Sequence, residues 1–427
     1  MKIWAVLLGL LLVGGCASTS MPADSLDAVA RDYVRLQLEA GEREEGYVDA
    51  YYGPAEWQAA AKAAPRTVEQ LAAAAAELTR RTQAIASGTD AMTQRRRAFL
   101  LAQLRAAETR LRMMRGEKLS FADEAEGLFG FRPELKPLSH YDAVLARIDA
   151  LVPGTGTLAE RVEAFQNRFT IPKEKLEPVF QAAIAECRRR SLGHIPLPAH
   201  ERFTMEFVTG KSWSGYNWYK GNANSLIQIN TDLPIRISRA VDLGCHEGYP
   251  GHHVYNLLLE EELAKKRGWV EYTVYPLYSP QSFIAEGSAN YGIDLAFPGE
   301  ERLAYETKVL FPLAGLTTAD AAAYYRLQDA TRELAGARFT IAQEYLEGRI
   351  DRAQAVELVQ KYQLVSKARA EQSVSFTEQY RSYVINYGLG QDMVRTYIEG
   401  AGATQAERWA AMRRILSEPT LPSDLAR

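Results

Sequence analysis

The segment Leu243-Gly-Cys-His-Glu-Gly-Tyr-Pro-Gly-His-His-Val-Tyr255 constrains this chain more than any other. Three of the six histidines, His246, His252 and His253, lie within it, and Glu247 follows the first directly. Histidine is the commonest metal ligand, and zinc sites combine imidazole with carboxylate. In an H-E-x-x-H helix, two histidines at i and i+4 share one face and bind zinc, with the glutamate as base. Here the i+4 position is Pro250. Proline has no N–H to give the His246 carbonyl, and it pushes Tyr249 out of the α region. Gly251 then accepts almost any backbone conformation.

These residues predict a helix interrupted at Pro250-Gly251. On an unbroken helix His252 would point about 120° away from His246, and His253 would sit roughly 10.5 Å further along the axis. Zinc ligands must converge to about 2.0–2.1 Å from one ion. The segment therefore reads as H-E-x-x-H with a two-residue bulge. His246 and His252 are the expected ligands, His253 is the alternative second ligand, and Glu247 is the expected base.

Residues 1–15 read as a lipoprotein signal peptide. Lys2 supplies a short positive start, and Ile3 to Val13 is an apolar run too short for an ordinary membrane span. Val13-Gly14-Gly15-Cys16 resembles a bacterial lipoprotein box, which implies cleavage before Cys16 and its lipidation. Ala17, where Asp would retain the protein, implies outer-membrane sorting facing the periplasm. Acyl chains at Cys16 would tether an otherwise soluble domain. The net charge is −3, with both signs interspersed, so no basic field points to nucleic acid. No obligate protein partner is evident. Beyond Cys16 only Cys187 and Cys245 remain. Export permits a disulfide between them; Cys245 leaves its helix on a different face from His246 and reads as a small core residue rather than a ligand.

From Leu26 to about His194 the apolar spacing predicts helices almost throughout, with Thr67 as a cap and the arginine run Arg95 to Arg97 on a solvated face. Tyr47 to Trp57 is an aromatic loop around Gly53-Pro54. Residues 200–231 alternate apolar and polar, the period of half-buried strands, and predict a small antiparallel sheet just before the His-Glu helix. A sheet edge can bind an extended peptide, and Asn222, Ala223 and Asn224 are the candidates to lie beside it. Glu286 lies in an otherwise uncharged run, Ser279 to Ile293. A lone carboxylate on an apolar helix is costly unless paired or metal-bound, so Glu286 is the candidate third ligand. Asp242 and Asp294 are available as acceptors for ligand imidazoles.

His246-Glu-Gly-Tyr-Pro-Gly-His-His253 followed by Glu286-Gly-Ser-Ala-Asn-Tyr291 resembles the bacterial family called domain of unknown function 885. That family carries His-Glu-x-x-Pro-Gly-His and Glu-Gly-Trp-Ala-x-Tyr, and is grouped with gluzincin metallopeptidases. The Tyr47–Trp57 loop and Asn386-Tyr387-Gly-Leu-Gly390 resemble further family elements, so the likeness spans roughly residues 25 to 400. Ser288 replaces the family's tryptophan, a departure that bears on the pocket wall. The resemblance implies a mainly α, zinc-peptidase-like fold with a deep cleft. It implies one zinc per chain on His246, His252 and Glu286, with Glu247 as general base toward a zinc-activated water. Tyr387 is the expected oxyanion donor, with Tyr383 the near alternative on the substrate side. The expected organisation is a tether (16–25) and one catalytic domain (26–427). That domain comprises a helical part (26–198), the sheet (200–231), zinc-site helices (235–296) and a second helical part (300–420). The expected activity is hydrolysis of short peptides, carboxypeptidase- or oligopeptidase-like. A non-catalytic peptide-binding envelope lipoprotein, and a zinc hydrolase of a non-peptide amide or ester, are the alternatives.

Overall fold

Short polar side chains mark where the N-terminal helices begin. Ser25, Asp90 and Ser120 accept backbone N–H groups of the first turns, and Thr67 and Thr157 form reciprocal capping boxes with Gln70 and Glu160. The computed structural model describes residues 25–86 and 88–426. The signal peptide, Cys16 and the tether up to residue 24 lie outside the described residues. Among the described residues no helix is long and apolar enough to cross a membrane.

The first helices are α1 (Leu26–Gly41), α2 (Ala55–Ala63), α3 (Val68–Ala84), α4 (Ala91–Met114), α5 (Phe121–Phe129), α6 (Asp142–Leu151), α7 (Leu158–Asn167) and α8 (Leu176–Leu192). One strand was hidden in the aromatic loop: β1 (Val48–Tyr51) pairs antiparallel with Val274–Pro276.

The arginine run is not a solvated face. Arg96 is buried and forms a two-pronged pair with the fully buried Glu271 (Nε–Oε1 2.5 Å, Nη2–Oε2 3.0 Å), while Nη1 reaches Asp27. Arg96 shares the inward stripe of α4 with Phe99, Leu100 and Gln103, three, four and seven residues on. Sequence spacing places it on that stripe, but the partner 175 positions away is invisible in the local pattern. Removing one member of a buried pair leaves the other charge uncompensated. Glu271→Gln is therefore expected to cost about 3–5 kcal/mol, read as a lowered urea midpoint. An unchanged midpoint would contradict the pairing.

The sheet expected to be antiparallel is mixed. Its strands are β2 (Arg202–Val208), β3 (Gly215–Tyr219) and β4 (Asn224–Asn230), in the order β2-β4-β3. β3 and β4 are antiparallel and β2 and β4 are parallel. The Gly221 turn joins β3 and β4 as antiparallel neighbours, and β2 takes the far edge of β4, running parallel to it. Alternation reveals strands but not their order. β5 is Val274–Pro276.

The remaining helices are α9 (Ser238–Leu243), α10 (His252–Leu258), α11 (Pro280–Ala296), α12 (Glu301–Tyr305), α13 (Phe311–Ala314), α14 (Ala321–Arg332), α15 (Ala337–Leu346), α16 (Arg352–Gln363), α17 (Lys367–Tyr380), α18 (Ile385–Ala401), α19 (Gln405–Ser417) and α20 (Pro422–Leu425). Among the described residues the fold is mainly helical with two small sheets. α11 is apolar on nearly every side and is correspondingly buried along almost its whole length. It crosses α18 closely: a Cβ on Gly287 would lie 2.5 Å from the Gly390 carbonyl oxygen, so only glycine permits the approach.

Cys187 and Cys245 are joined in a disulfide, with Cα atoms 5.4 Å apart. Cys245 is thus buried as expected, yet it is also a cross-link rather than only a core residue. It ties α8 to the turn that carries His246.

Candidate metal centre

The helix entering the motif ends as the proline demands. After α9, residues Gly244–Gly248 form a wide π-type turn, Tyr249 is extended, and the Tyr249–Pro250 bond is cis. Gly251 N donates to Cys245 O (3.0 Å), and α10 begins at His252. A Cβ on Gly251 would lie 1.7 Å from the His246 carbonyl oxygen. The chain can turn back this tightly only where no side chain intervenes. Gly251→Ala is therefore expected to abolish stoichiometric zinc uptake in protein that still folds by circular dichroism, with metal analysis as the readout; full zinc content would contradict this.

The turn brings three donors together. His246 Nε2 and His252 Nε2 are 3.2 Å apart. Glu286 Oε2 is 3.2 Å from His246 Nε2, and Glu286 Oε1 is 3.6 Å from His252 Nε2. Ligands about 2.0–2.1 Å from a tetrahedral ion stand roughly 3.3 Å from one another. The two imidazoles and the carboxylate therefore have the spacing of a metal site, and no other group of metal-binding residues with that convergence occurs among the described residues. Glu286 Oε2 is buried without a hydrogen-bond donor, an arrangement that is costly unless a cation satisfies it. Burial raises the Glu286 carboxyl, but His252 and His246 overcome it and hold the group well below the usual carboxylate range. The donor set, two imidazoles and a carboxylate, fits zinc.

His253 is not in this cluster. Its Nδ1 meets Ser225 Oγ (2.8 Å) and its Nε2 meets Glu201 Oε1 (3.1 Å), so both ring nitrogens are engaged away from the cleft. Burial raises Glu201, and the bonds from His253, Tyr249 and Arg188 bring it down to about 2. His253 thus locks α10 onto β4 and the chain before β2.

Glu286 is oriented from the second helical part. The helical part expected over residues 300–420 is broken at Arg381, between α17 and α18, where a φ of 54° is strained for a residue with a side chain. Glu124 on α5 holds the break: it accepts from Arg381 Nε (2.8 Å), Ser382 N (3.1 Å) and Ser382 Oγ (2.7 Å). The chain then turns so that the Tyr383 hydroxyl donates to Glu286 Oε1 (2.7 Å). Tyr383 is therefore engaged with the carboxylate rather than left for substrate. Tyr387, one turn on, stacks beside His246 with ring centroids 6.3 Å apart. Its hydroxyl makes no hydrogen bond among the described residues. Asn290 bridges α11 and α18 by donating to the Glu286 and Tyr387 carbonyls (3.0 and 3.2 Å).

His246, Glu247, His252, Glu286, Tyr383 and Tyr387 all line one cleft of about 890 Å³, bounded by both helical parts. The Glu247 side chain faces it without a protein hydrogen bond among the described residues. Burial raises the Glu247 carboxyl, with His246 and His252 opposing, which favours a group able to take up a proton. Gly215, the first residue of β3, lies against it: a Cβ there would be 2.9 Å from Glu247 Oε1. Asn217 Nδ2 donates to the Glu247 carbonyl (2.6 Å).

Asn222, Ala223 and Asn224 are not brought to the cleft. They form the β3–β4 turn, where Asn222 and Ala223 have positive φ and Glu260 accepts from Asn222 N (2.9 Å). The sheet reaches the cleft through its edge strand β3, at Gly215, Tyr216 and Asn217. Ser288 is buried, donates to Ala285 O (3.1 Å) and does not form the cleft wall. Asp242 and Asp294 do not accept from the site histidines; they pair with Arg302 (2.8 Å) and Arg395 (2.8 Å).

Asp49 was not anticipated. β1 carries it into the cleft, where the Tyr216 hydroxyl donates to it and burial pushes its carboxyl up to about 6. The only trace in the sequence is a single acid inside the Tyr47-Val-Asp-Ala-Tyr-Tyr52 run.

Fold and site together define a helical protein with a His-His-Glu metal-type centre beside a free glutamate in a deep cleft. No family model matches the chain, and no curated protein matches it. Among solved structures, 82% of the chain aligns with 67% of a candidate lipoprotein from Colwellia psychrerythraea at 15% identity and a TM-score of 0.49. A further 94% coverage of the chain is reached against 92% of an M32 carboxypeptidase from Deinococcus radiodurans R1, at 14% identity and a TM-score of 0.38. Likenesses this distant carry no argument about activity, which rests on the site itself.

Proposed function

We propose that this protein is a zinc-dependent peptidase acting on short peptides, carboxypeptidase- or oligopeptidase-like, and a member of the family its motif resembles. One observation carries the reading: the mutual 3.2–3.6 Å approach of His246, His252 and Glu286, with a partner-free Glu247 facing the same cleft. His246, His252 and Glu286 hold the metal, and Tyr383 fixes the orientation of Glu286. Zinc, when bound there, supplies Lewis acidity that polarises a carbonyl and acidifies water. Glu247 takes the proton of the attacking water and delivers it to the leaving amine nitrogen. Tyr387, with its hydroxyl unengaged, donates to the oxygen that becomes negative as the carbonyl carbon turns tetrahedral. An extended peptide lies along the β3 edge, where backbone groups are open to it.

The same reading makes residues 26–427 one catalytic domain anchored by acyl chains at Cys16, in the envelope and facing the periplasm. The Cys187–Cys245 disulfide supports an oxidising compartment.

The test is metal analysis combined with a peptide library read by mass spectrometry. About one zinc per chain and cleavage lost on chelation and restored by zinc are expected. Zinc-loaded protein that binds peptides without cutting them would favour the non-catalytic alternative, and turnover confined to esters or non-peptide amides would favour the other.

A further inference from the structure

Six arginines line the cleft, and five of them are spoken for. Arg239 and Arg302 pair with Asp242 (3.3 and 2.8 Å), Arg332 and Arg395 with Asp294 (3.6 and 2.8 Å), and Arg369 with Glu163 (3.6 Å). Arg338, near the start of α15, has no carboxylate within 4.0 Å, and its side chain makes no hydrogen bond among the described residues. Its Nε is fully buried and unsatisfied. It faces an aromatic ring, the guanidinium carbon lying 5.2 Å from the Phe376 centroid, and its charge is felt by the Tyr387 phenol. Burial without an opposing carboxylate lowers its pKa, the reverse of the shift in the paired Arg302 on the same cleft.

Arg338 is partly exposed to the cleft, and a guanidinium whose Nε is buried there without a partner is costly to the fold. The cost is offset when an anion enters, and a planar fork of N–H donors matches a carboxylate in two-pronged fashion. The position of Arg338 indicates which anion. Tyr387 stacks beside His246, Phe376 packs edge-on to Tyr387 (5.9 Å between centroids), and Arg338 sits over Phe376. The guanidinium is thus one aromatic ring beyond the proposed oxyanion donor, on the same wall. An extended residue advances about 3.5 Å, so a few residues of peptide span from the metal centre toward that wall.

We infer that Arg338 receives the free α-carboxylate at the C-terminus of the substrate, which makes the protein an exopeptidase that trims peptides from their C-terminal end. The inference rests on the peptidase reading above. It makes Arg338 a specificity-determining residue that touches substrate and leaves metal binding to His246, His252 and Glu286.

Three peptides of otherwise identical sequence provide the test: one ending in alanine with a free carboxylate, one ending in alanine amide, and one ending in glutamate amide. The full-length wild type is expected to cleave the free acid about 100-fold faster in kcat/KM than either amide. Arg338→Met is expected to lose that preference and Arg338→Lys to recover part of it. Both should keep zinc content, and the thermal midpoint of Arg338→Met should be unchanged or higher, because an unpaired charge with a buried, unsatisfied Nε has been removed. A merely structural arginine would instead lower it. Equal cleavage of acid and amide by the wild type overturns the inference, as does cleavage of the glutamate amide at the rate of the free acid. A binding arm separates this from failure of the peptidase reading. Glu247→Gln protein is titrated with the alanine acid and the alanine amide by calorimetry, with and without Arg338→Met. A preference for the acid of at least about tenfold that disappears with Arg338→Met supports the inference whether or not the wild type hydrolyses anything. Equal affinity, including none for either, overturns it even if hydrolysis is robust.

Discussion

Glu247→Gln is expected to lower kcat on any peptide that the wild type cleaves by about 10²–10⁴-fold, with zinc content and thermal midpoint held near wild-type values. The substitution preserves shape and removes only the ability to take a proton. It breaks no protein hydrogen bond, because the Glu247 side chain makes none among the described residues. It also removes one of two neighbouring buried carboxylates, each of which raises the cost of charge on the other. The stability readout therefore separates a base from a structural residue: loss of turnover in a protein no less stable than the wild type assigns the role. Hydrolysis that survives Glu247→Gln would remove Glu247 from the chemistry.

The second large effect distinguishes adjacent histidines. His252→Ala is expected to reduce bound zinc from about one per chain to less than about a tenth, since two remaining ligands do not make a catalytic site. His253→Ala is expected to retain zinc and to lose about 1–3 kcal/mol of stability in the metal-free protein. The reason lies in Glu201, which is nearly fully buried and takes His253 as one of its partners. Without that ring, Ser225 and Glu201 face a cavity. Metal analysis and urea unfolding of the two variants give opposite patterns if the bulge delivers His252. The reverse assignment, zinc lost with His253→Ala and kept with His252→Ala, would contradict it.

The convergence of His246 and His252 was legible in the sequence because its cause is local. Pro250 removes a helical hydrogen bond and Gly251 permits the turn, so the break and the advance of the second ligand by two residues follow from covalent chemistry. Glu286 was legible for a related reason: an acid in an uncharged run needs a partner. What escaped depends on residues distant in the chain. Arg96 has the look of a surface charge until Glu271 meets it. Tyr383 turns inward because Glu124, on another helix, holds Arg381 in a strained conformation. The part of the sheet that lines the cleft is Gly215–Asn217 rather than Asn222–Asn224, because alternation does not say which strand is the edge. Arg338 carries no local signal at all, since being unpaired is a property of everything around it.

On this reading the Pro250-Gly251 turn assembles His246, His252 and Glu286 around one zinc ion. Anomalous scattering at the zinc edge from crystals of the purified protein tests it directly. One peak per chain is expected, about 2.0–2.2 Å from His246 Nε2, His252 Nε2 and a Glu286 oxygen, with Glu247 outside the coordination shell. No peak at that position in zinc-supplied crystals, or a peak bound by His253 in place of His252, would contradict it.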